Sequence, residues 1–135
     1  MELHRVDRPR ARPANDTRAP DARIARALVA ISARPAERWT VARLAKIAGM
    51  SRAAFARRFA DDVGEPPLRF VARVRMERAA RLLVAGDAAL AAVAIEVGYA
   101  NEFALSRAFR RMVGEPPSVF RRRARGAFTP ACRAA

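Results

Sequence analysis

The sequence is poor in the residues that form covalent links and catalytic sites. Among its 135 residues there is one cysteine, Cys132, and one histidine, His4. A single cysteine excludes a disulfide within the chain and a zinc site built from cysteines. His4 lies in the charged, proline-rich N-terminal segment. This position argues against a Ser-His-Asp group and against a histidine metal site. We therefore expect no enzyme activity, no metal and no cofactor, since no nucleophile, base and orienting group occur together.

Long apolar runs are also missing. No stretch approaches the roughly 18 apolar residues that indicate a transmembrane helix, and the N-terminus has no apolar signal core. We therefore expect a cytoplasmic protein with no membrane partner. Hydrophobic residues still make up 52% of the chain, which is enough to bury a core.

Basic residues are abundant instead. Lysine and arginine total 27 against 13 acidic residues, which gives a net charge of +14 and predicts a polyanionic partner. Lys46 is the only lysine, and arginine suits planar, bidentate contacts with phosphate and guanine. Codon usage in a GC-rich genome would explain the choice of arginine equally well, but it would not explain the net charge.

The sequence VGEPP occurs twice, at Val63–Pro67 and at Val113–Pro117. A repeated turn predicts that the structure before it is repeated too. Residues 51–70 align with residues 101–120 without a gap, at an interval of 50 residues. Upstream, LAKIAGMS aligns with VAIEVGYAN, where the second copy has one additional residue in its turn.

Each copy has the pattern of two short helices around a glycine turn, which is typical of a helix-turn-helix. In the first copy, Thr40 and Ser51 suit the N-caps of the two helices. Gly49 and Gly64 suit their C-terminal ends. Hydrophobic staples fit around both caps, in the pairs Trp39 with Leu44 and Met50 with Phe55.

One further helix precedes the repeat and another joins its two copies. The first begins after Asp21 and ends before Pro35, with apolar residues at helical spacing at Ile24, Leu28 and Ile31. The joining helix, Pro67 to Ala85, has 19 residues and a length of about 28 Å. That length is close to the roughly 34 Å between successive major grooves on one face of DNA.

The joining helix combines an apolar stripe with many arginines. We expect the stripe to consist of Phe70, Val71, Val74, Leu82 and Leu83. The arginines have three possible partners, namely DNA phosphates, acidic residues such as Glu77, or solvent. They are Arg69, Arg73, Arg75, Arg78 and Arg81.

The second helix of a helix-turn-helix enters the DNA major groove. If Phe55 and Phe59 face the core, the opposite face of that helix is available for base contacts. With the cap residue, the candidate DNA-binding residues of the first copy are Ser51, Arg52, Ala53, Ala56 and Arg57. The equivalent face of the second copy consists of Glu102, Phe103, Ser106 and Arg107.

Arg57 and Arg107 occupy equivalent positions, one turn into each helix. An arginine there can bond guanine O6 and N7, a contact that contributes about 1–3 kcal/mol of discrimination. The alternative is a solvated surface arginine. Two alternatives are also open for Phe103, which either contacts a thymine methyl group or packs into the core of the second copy.

The sequence resembles the DNA-binding domain of the AraC/XylS family of bacterial transcription regulators over residues 21–125. The resemblance rests on WTVARLAKIAGMSRAAFARRF, GEPPLRFVARVRMERAARLL and VAIEVGYANEFALSRAFRRMVGEPPSVFRR. In the last segment the matching residues are Gly98, Tyr99, Phe109, Gly114, Pro117 and Phe120. The resemblance implies an all-α fold of about seven helices, in which a rigid linker helix joins two helix-turn-helix lobes.

The sequence departs from the family pattern at several positions. Ala89 stands where a serine or threonine often caps the first helix of the second lobe, so either Asp87 caps that helix or its end frays. Leu105 replaces a common phenylalanine. Ala53 and Ala56 replace larger polar residues, which predicts weak base recognition by the first lobe.

Many family members join this domain to a sensor, and residues 21–43 resemble the subgroup with an N-terminal cupin sensor. Residues 1–20 resemble no part of such a sensor, and the chain has no room for one. We therefore expect no small-molecule effector in this chain. The expected domains are a flexible arm at 1–20, the first lobe at 21–66, the linker helix at 67–85, the second lobe at 86–125 and a flexible tail at 126–135.

These features favour a sequence-specific double-stranded DNA-binding transcription regulator, with RNA polymerase as a further partner. The first alternative is a non-specific nucleic-acid-binding or architectural protein that depends on the +14 charge. The second is a small protein-interaction module, an alternative that the alanines of the first lobe support.

Overall fold

The computed structural model describes residues 19–134, which contain seven helices and no strand. The helices are α1 (Ala22–Ala33), α2 (Val41–Ala48), α3 (Arg52–Val63), α4 (Pro67–Ala85), α5 (Leu90–Val97), α6 (Glu102–Val113) and α7 (Pro117–Ala134). The all-α prediction is confirmed. Most of the expected arm, residues 1–18, lies outside the described residues.

The described residues form two compact units. The first comprises the residues up to Arg34 together with Trp39–Val71, and the second comprises Pro35–Arg38 together with the residues from Ala72 onward. The boundary therefore falls inside α4, which contributes to both units. The short segment Pro35–Arg38 belongs to the second unit, although its neighbours on both sides belong to the first.

The N-caps expected for the first unit are present. The carboxylate of Asp21 accepts a hydrogen bond from the Arg23 amide at the start of α1. Thr40 caps α2, where its hydroxyl accepts from Arg43 N–H at 3.0 Å. Ser51 caps α3 in the same way, at 3.2 Å from Ala54 N. These side chains satisfy amides that the first turn of a helix leaves without a partner.

Apolar residues of α1, α2 and α3, together with Trp39 and Val71, form the core of the first unit. Ile24 and Ile31 are fully buried, whereas Leu28 is half-buried. Trp39 is buried, and its indole N–H donates to the carbonyl of Arg34 at 2.9 Å. The rest of this core consists of Ala27, Leu44, Ala45, Ala48, Phe55, Phe59 and Val71.

The core of the second unit lies between α4, α5 and α6. Its buried residues are Met76, Ala79, Leu83, Val93, Ala94, Val97, Leu105, Ala108 and Phe109. The expected stripe on α4 is partly right, because Leu83 is buried but Val74 and Leu82 are only half-buried. Met76 and Ala79 are the buried residues that the pattern missed.

The sequence repeat is also a structural repeat. Phe59 and Phe70 pack edge to face with ring centroids 5.7 Å apart and an interplanar angle of 68°. Phe109 and Phe120 repeat this pair at 5.3 Å and 68°. In both copies the VGEPP sequence ends one helix and begins the next, so that the two rings meet.

The start of α5 differs from both expectations, a cap by Asp87 or a frayed end. Its N-cap is Ala89, which makes no side-chain cap bond. Asp87 does not cap the helix, because its carboxylate is bound by the guanidinium of Arg125 at 2.6 Å. The helix still begins regularly, since the Val93 amide donates to the Ala89 carbonyl at 3.1 Å.

The tail expected at 126–135 overlaps the last helix of the chain. Helix α7 continues through Gly126 to Ala134. In the described part of the chain, no helix is long and apolar enough to cross a membrane.

The glycine between α5 and α6 is constrained more tightly than the one after α6. Gly98 and Gly114 both have positive φ, +106° and +100°. A Cβ at Gly98 would lie 2.9 Å from Arg75 Cζ and 3.0 Å from Ala36 Cα, whereas a Cβ at Gly114 would meet nothing within 4 Å. Only Gly98 is therefore required for close packing as well as for its backbone conformation.

We expect Gly114→Ala to lower the free energy of unfolding by about 1–2 kcal/mol, because alanine is strained in the left-handed region. Gly98→Ala should lower it by about a further 1–3 kcal/mol, since its methyl group must displace packed atoms. Urea unfolding followed by circular dichroism measures both values. Equal losses in the two variants would contradict the close packing at Gly98.

Candidate nucleic-acid interface

The outward face of α3 contains the residues that the sequence predicted for it. Phe55 and Phe59 are fully buried, which fixes the rotation of the helix about its axis. On the other side Arg52, Ala53 and Arg57 are exposed. The remaining two candidates are the exposed cap Ser51 and the half-buried Ala56.

The outward face of α6 is formed in the same way. Leu105 and Phe109 are fully buried and Arg107 is exposed. Glu102 and Ser106 are half-buried. The structure thus brings together the four candidates of each helix on one surface of that helix.

Phe103 lies at the surface, with 66% of its area exposed. The alternative that it packs into the core is therefore wrong. The physical reason is that Leu105, Ala108 and Phe109 already fill the inward face of α6. A large exposed aromatic ring in the first turn of this helix is available for an apolar contact with a binding partner.

The exposed arginines at the candidate positions are free of internal partners. Within the described residues, the side chains of Arg52, Arg57 and Arg107 make no hydrogen bond, ion pair or ring contact. Their guanidinium groups can therefore bind an external anion or base edge without first breaking a contact inside the protein.

Many other arginines are paired with acidic residues. On the joining helix, Arg73 contacts Glu77 at 3.1 Å and Arg78 contacts Glu96 at 3.5 Å. The other pairs are Arg23 with Asp21, Arg58 with Asp62, Arg123 with Glu115 and Arg125 with Asp87. These six pairs neutralise positive charge away from the candidate faces.

The ion pairs change the acidity of the carboxylates involved. Hydrogen bonds from the Arg23 side chain and amide hold the pKa of Asp21 well below its usual range. The Arg125 guanidinium lowers the pKa of Asp87, and the Arg123 guanidinium lowers that of Glu115. All three carboxylates stay charged at neutral pH, so their arginines remain neutralised there.

A third group of arginines binds backbone carbonyls. Arg26 donates to Ile47 O at 3.3 Å and to Ala48 O at 3.1 Å. Arg121 donates to the carbonyls of Leu83 and Ala88, and Arg75 to those of Pro35 and Glu37. No local pattern separates these structural arginines from surface arginines, because their carbonyl partners lie 21 to 40 residues away.

Two further residues, which were not predicted from the sequence, extend the surface of α6. Arg110 and Arg111 are exposed and have no partner among the described residues. Arg110 follows Phe103 by seven residues, a spacing that keeps it on the same helix face. In α3 the equivalent positions are occupied by Ala60 and Asp61. The spacing alone could have identified Arg110.

The two faces differ in chemistry. The α3 face combines arginines with small alanines, whereas the α6 face combines arginines with Phe103, Glu102 and Ser106. Arginine can bond guanine, a carboxylate can accept from cytosine N4, and an apolar ring can contact a thymine methyl group. Within the described residues, no cluster of three His, Cys, Asp or Glu side chains could hold a metal ion.

Comparison with known proteins agrees with this geometry. A family model for a helix-turn-helix domain matches residues 44–123. A protein of Streptomyces lividans described as an AraC-like transcription regulator is 48% identical over 99 residues, which are 73% of this chain and 33% of that protein. The RCS-specific HTH-type transcriptional activator RclR of Escherichia coli K12 is 40% identical over 67% of this chain and 32% of its own length. The chain thus spans about a third of these relatives.

Solved structures show the same fold. The DNA-binding domain of the global transcriptional factor AdpA, determined in complex with a target DNA, is 34% identical with a TM-score of 0.71. The match covers 80% of this chain and 96% of that one. The C-terminal domain of AraT, a response regulator of Geobacillus stearothermophilus, has a TM-score of 0.72 at 25% identity, over 76% of this chain and 85% of that one. The chain belongs to the helix-turn-helix family, as an AraC-type DNA-binding domain.

Proposed function

We propose that this chain is a sequence-specific double-stranded DNA-binding transcription regulator in which α3 and α6 enter successive major grooves. The observation that carries the proposal is the pair of equivalent outward arginines, Arg57 and Arg107. Both are exposed and lack an internal partner among the described residues. Many other arginines are paired internally, whereas the guanidinium groups of these two are available to an external acceptor.

The length of α4 supports the use of both helices on one duplex. Its 19 residues span about 28 Å at 1.5 Å per residue. Recognition helices that bind successive major grooves on one face must be about 34 Å apart. A helix of this length between the two motifs, together with its flanking turns, suits that separation.

The two helices contribute unequally to base recognition in this proposal. Ala53 and Ala56 offer α3 only small apolar contacts, so its specificity depends on Arg52 and Arg57. Glu102, Phe103, Ser106 and Arg107 give α6 four different side chains for base edges. The cap hydroxyl of Ser51, which accepts from Ala54 N at 3.2 Å, can still donate to a phosphate.

The proposal that this chain is a transcription regulator includes a cellular role. RNA polymerase is the further partner, and the cytoplasm is the place of action. The residue boundaries of the two lobes and the likeness to the subgroup with a cupin sensor belong to the same proposal. We assign no catalytic role and no small-molecule effector site to this chain, whose function is to bind DNA.

The net charge favours a second candidate, a non-specific nucleic-acid-binding or architectural protein. At +14 the chain will bind any duplex at low salt, because phosphate contacts release counterions whatever the sequence. Specific recognition is favoured because free arginines project from the two helices that can reach base edges.

We expect Arg57→Ala and Arg107→Ala each to weaken binding to the preferred duplex by about 1–3 kcal/mol, since each variant loses a bidentate guanine contact. Titration by fluorescence anisotropy at physiological salt, with preferred and scrambled duplexes, measures the effect. The matched control is Arg69→Ala, which removes an exposed, unpaired arginine of α4. It should weaken both duplexes equally, and the same uniform loss in Arg57→Ala and Arg107→Ala would count against base recognition.

We expect the protein to protect two successive major grooves on one face of its preferred duplex. Hydroxyl-radical and methylation footprinting at physiological salt reveal the protected positions. Arg107→Ala should weaken protection of one groove only, because α3 keeps its contacts. A footprint limited to one groove would contradict the use of both helices, and equal binding to scrambled duplexes would favour the non-specific candidate.

A further inference from the structure

Arg75 lies near the middle of α4, and its guanidinium contacts two segments that are far apart in the sequence. Its Nε donates to the carbonyl of Pro35 at 2.8 Å and its Nη2 donates to the carbonyl of Glu37 at 2.9 Å. One guanidinium thus binds two carbonyls of the segment Pro35–Arg38, which belongs to the second unit. Arginine can make both bonds because its donors form a planar fork, which lysine lacks.

The other side of the same guanidinium faces the turn between α5 and α6. Its Cζ lies 5.4 Å from the centre of the Tyr99 ring, within cation–π range. At Gly98 the approach is so close that a Cβ would lie 2.9 Å from Arg75 Cζ and Nε. Arg75 therefore fills the space between Pro35–Arg38 and the turn of the second helix-turn-helix.

The turn that Arg75 contacts determines where α6 begins. Tyr99 N–H donates to Ala94 O at 2.8 Å, which folds the turn back on the end of α5. Two residues later Asn101 caps α6, and Glu102 and Phe103 follow at once. A shift of Gly98 and Tyr99 would therefore move the first residues of the outward face of α6.

The first unit holds its own turn without Arg75. There Arg26 donates to the last carbonyls of α2, and its Nη2 would be 3.9 Å from a Cβ at Gly49. The bond from Met50 N–H to Ala45 O, at 2.9 Å, is equivalent to that of Tyr99. A change at Arg75 should consequently affect one turn and leave the other intact.

We propose that Arg75 is a positioning residue for base recognition by α6: it fixes the Gly98–Tyr99 turn and so sets the placement of Glu102 and Phe103. This role rests on the proposed function. It assigns to a residue of the joining helix a share in sequence specificity that does not depend on a phosphate contact.

The test uses the full chain and a preferred duplex selected from a random pool at physiological salt. Dissociation constants for single base-pair variants of that duplex then give the discrimination at each position. Arg107→Ala and Arg57→Ala identify the positions that depend on α6 and on α3. Arg75→Ala should lower discrimination at the α6 positions about tenfold, the scale of one lost base contact, and leave the α3 positions unchanged.

Two variants separate positioning from charge and from folding. Arg81→Ala removes the same charge from an exposed position of the same helix and should weaken all duplexes alike, without a change in discrimination. Arg75→Lys keeps the charge but cannot make the fork contact, so it should behave like Arg75→Ala. If Arg75→Ala does not fold, Arg75→Lys decides the question.

Amide hydrogen exchange gives a readout that needs no DNA. In Arg75→Lys the Tyr99 amide should lose protection while the Met50 amide keeps it. Unchanged protection of Tyr99, or unchanged discrimination at the α6 positions, would overturn the positioning role. If the wild-type protein selects no preferred duplex, the proposed function fails instead, and hydrogen exchange still shows whether Arg75 holds the turn.

Discussion

The burial of two residues on the inward face of each recognition helix is the constraint on which the rest of the structure depends. Phe55 and Phe59 in α3, and Leu105 and Phe109 in α6, are fully buried. Burying a side chain of this size contributes about 1.5–3 kcal/mol, so rotating either helix about its axis would be costly. With the rotation fixed, Arg57 and Arg107 must point outward, whether or not DNA is present.

The net charge of a protein does not say how much of that charge a ligand can use. Here the arginines fall into three groups, those paired with carboxylates, those bound to carbonyls and those without an internal partner. Arg26, Arg75 and Arg121 hold the backbone together and are already engaged. The arginines that remain free on α3 and α6 are a minority, but they lie on the outward faces of these helices, where a partner can reach them.

Local sequence signals predicted much of the fold, because helix caps and glycine turns are short-range features. Thr40 and Ser51 each cap the helix that the sequence assigned to them. The role of Arg75 could not be predicted, since it depends on carbonyls about 40 residues away. Asp87 was misassigned for the same reason, as its partner Arg125 is 38 residues distant. The outward faces followed from helical spacing, but the exposure of Phe103 required knowledge of what fills the core.

The two copies of the repeat preserve the same scaffold and differ in what they place on it. The edge-to-face pairs Phe59 with Phe70 and Phe109 with Phe120 match in geometry. Both units therefore contain the same aromatic packing. The outward residues do not match, apart from the shared arginine, and neither do the arginines that brace the two turns. In such a scaffold the surface residues are not needed for folding, because the buried residues alone fix the rotation of the helix. The outward residues of each helix can then change at little cost in stability.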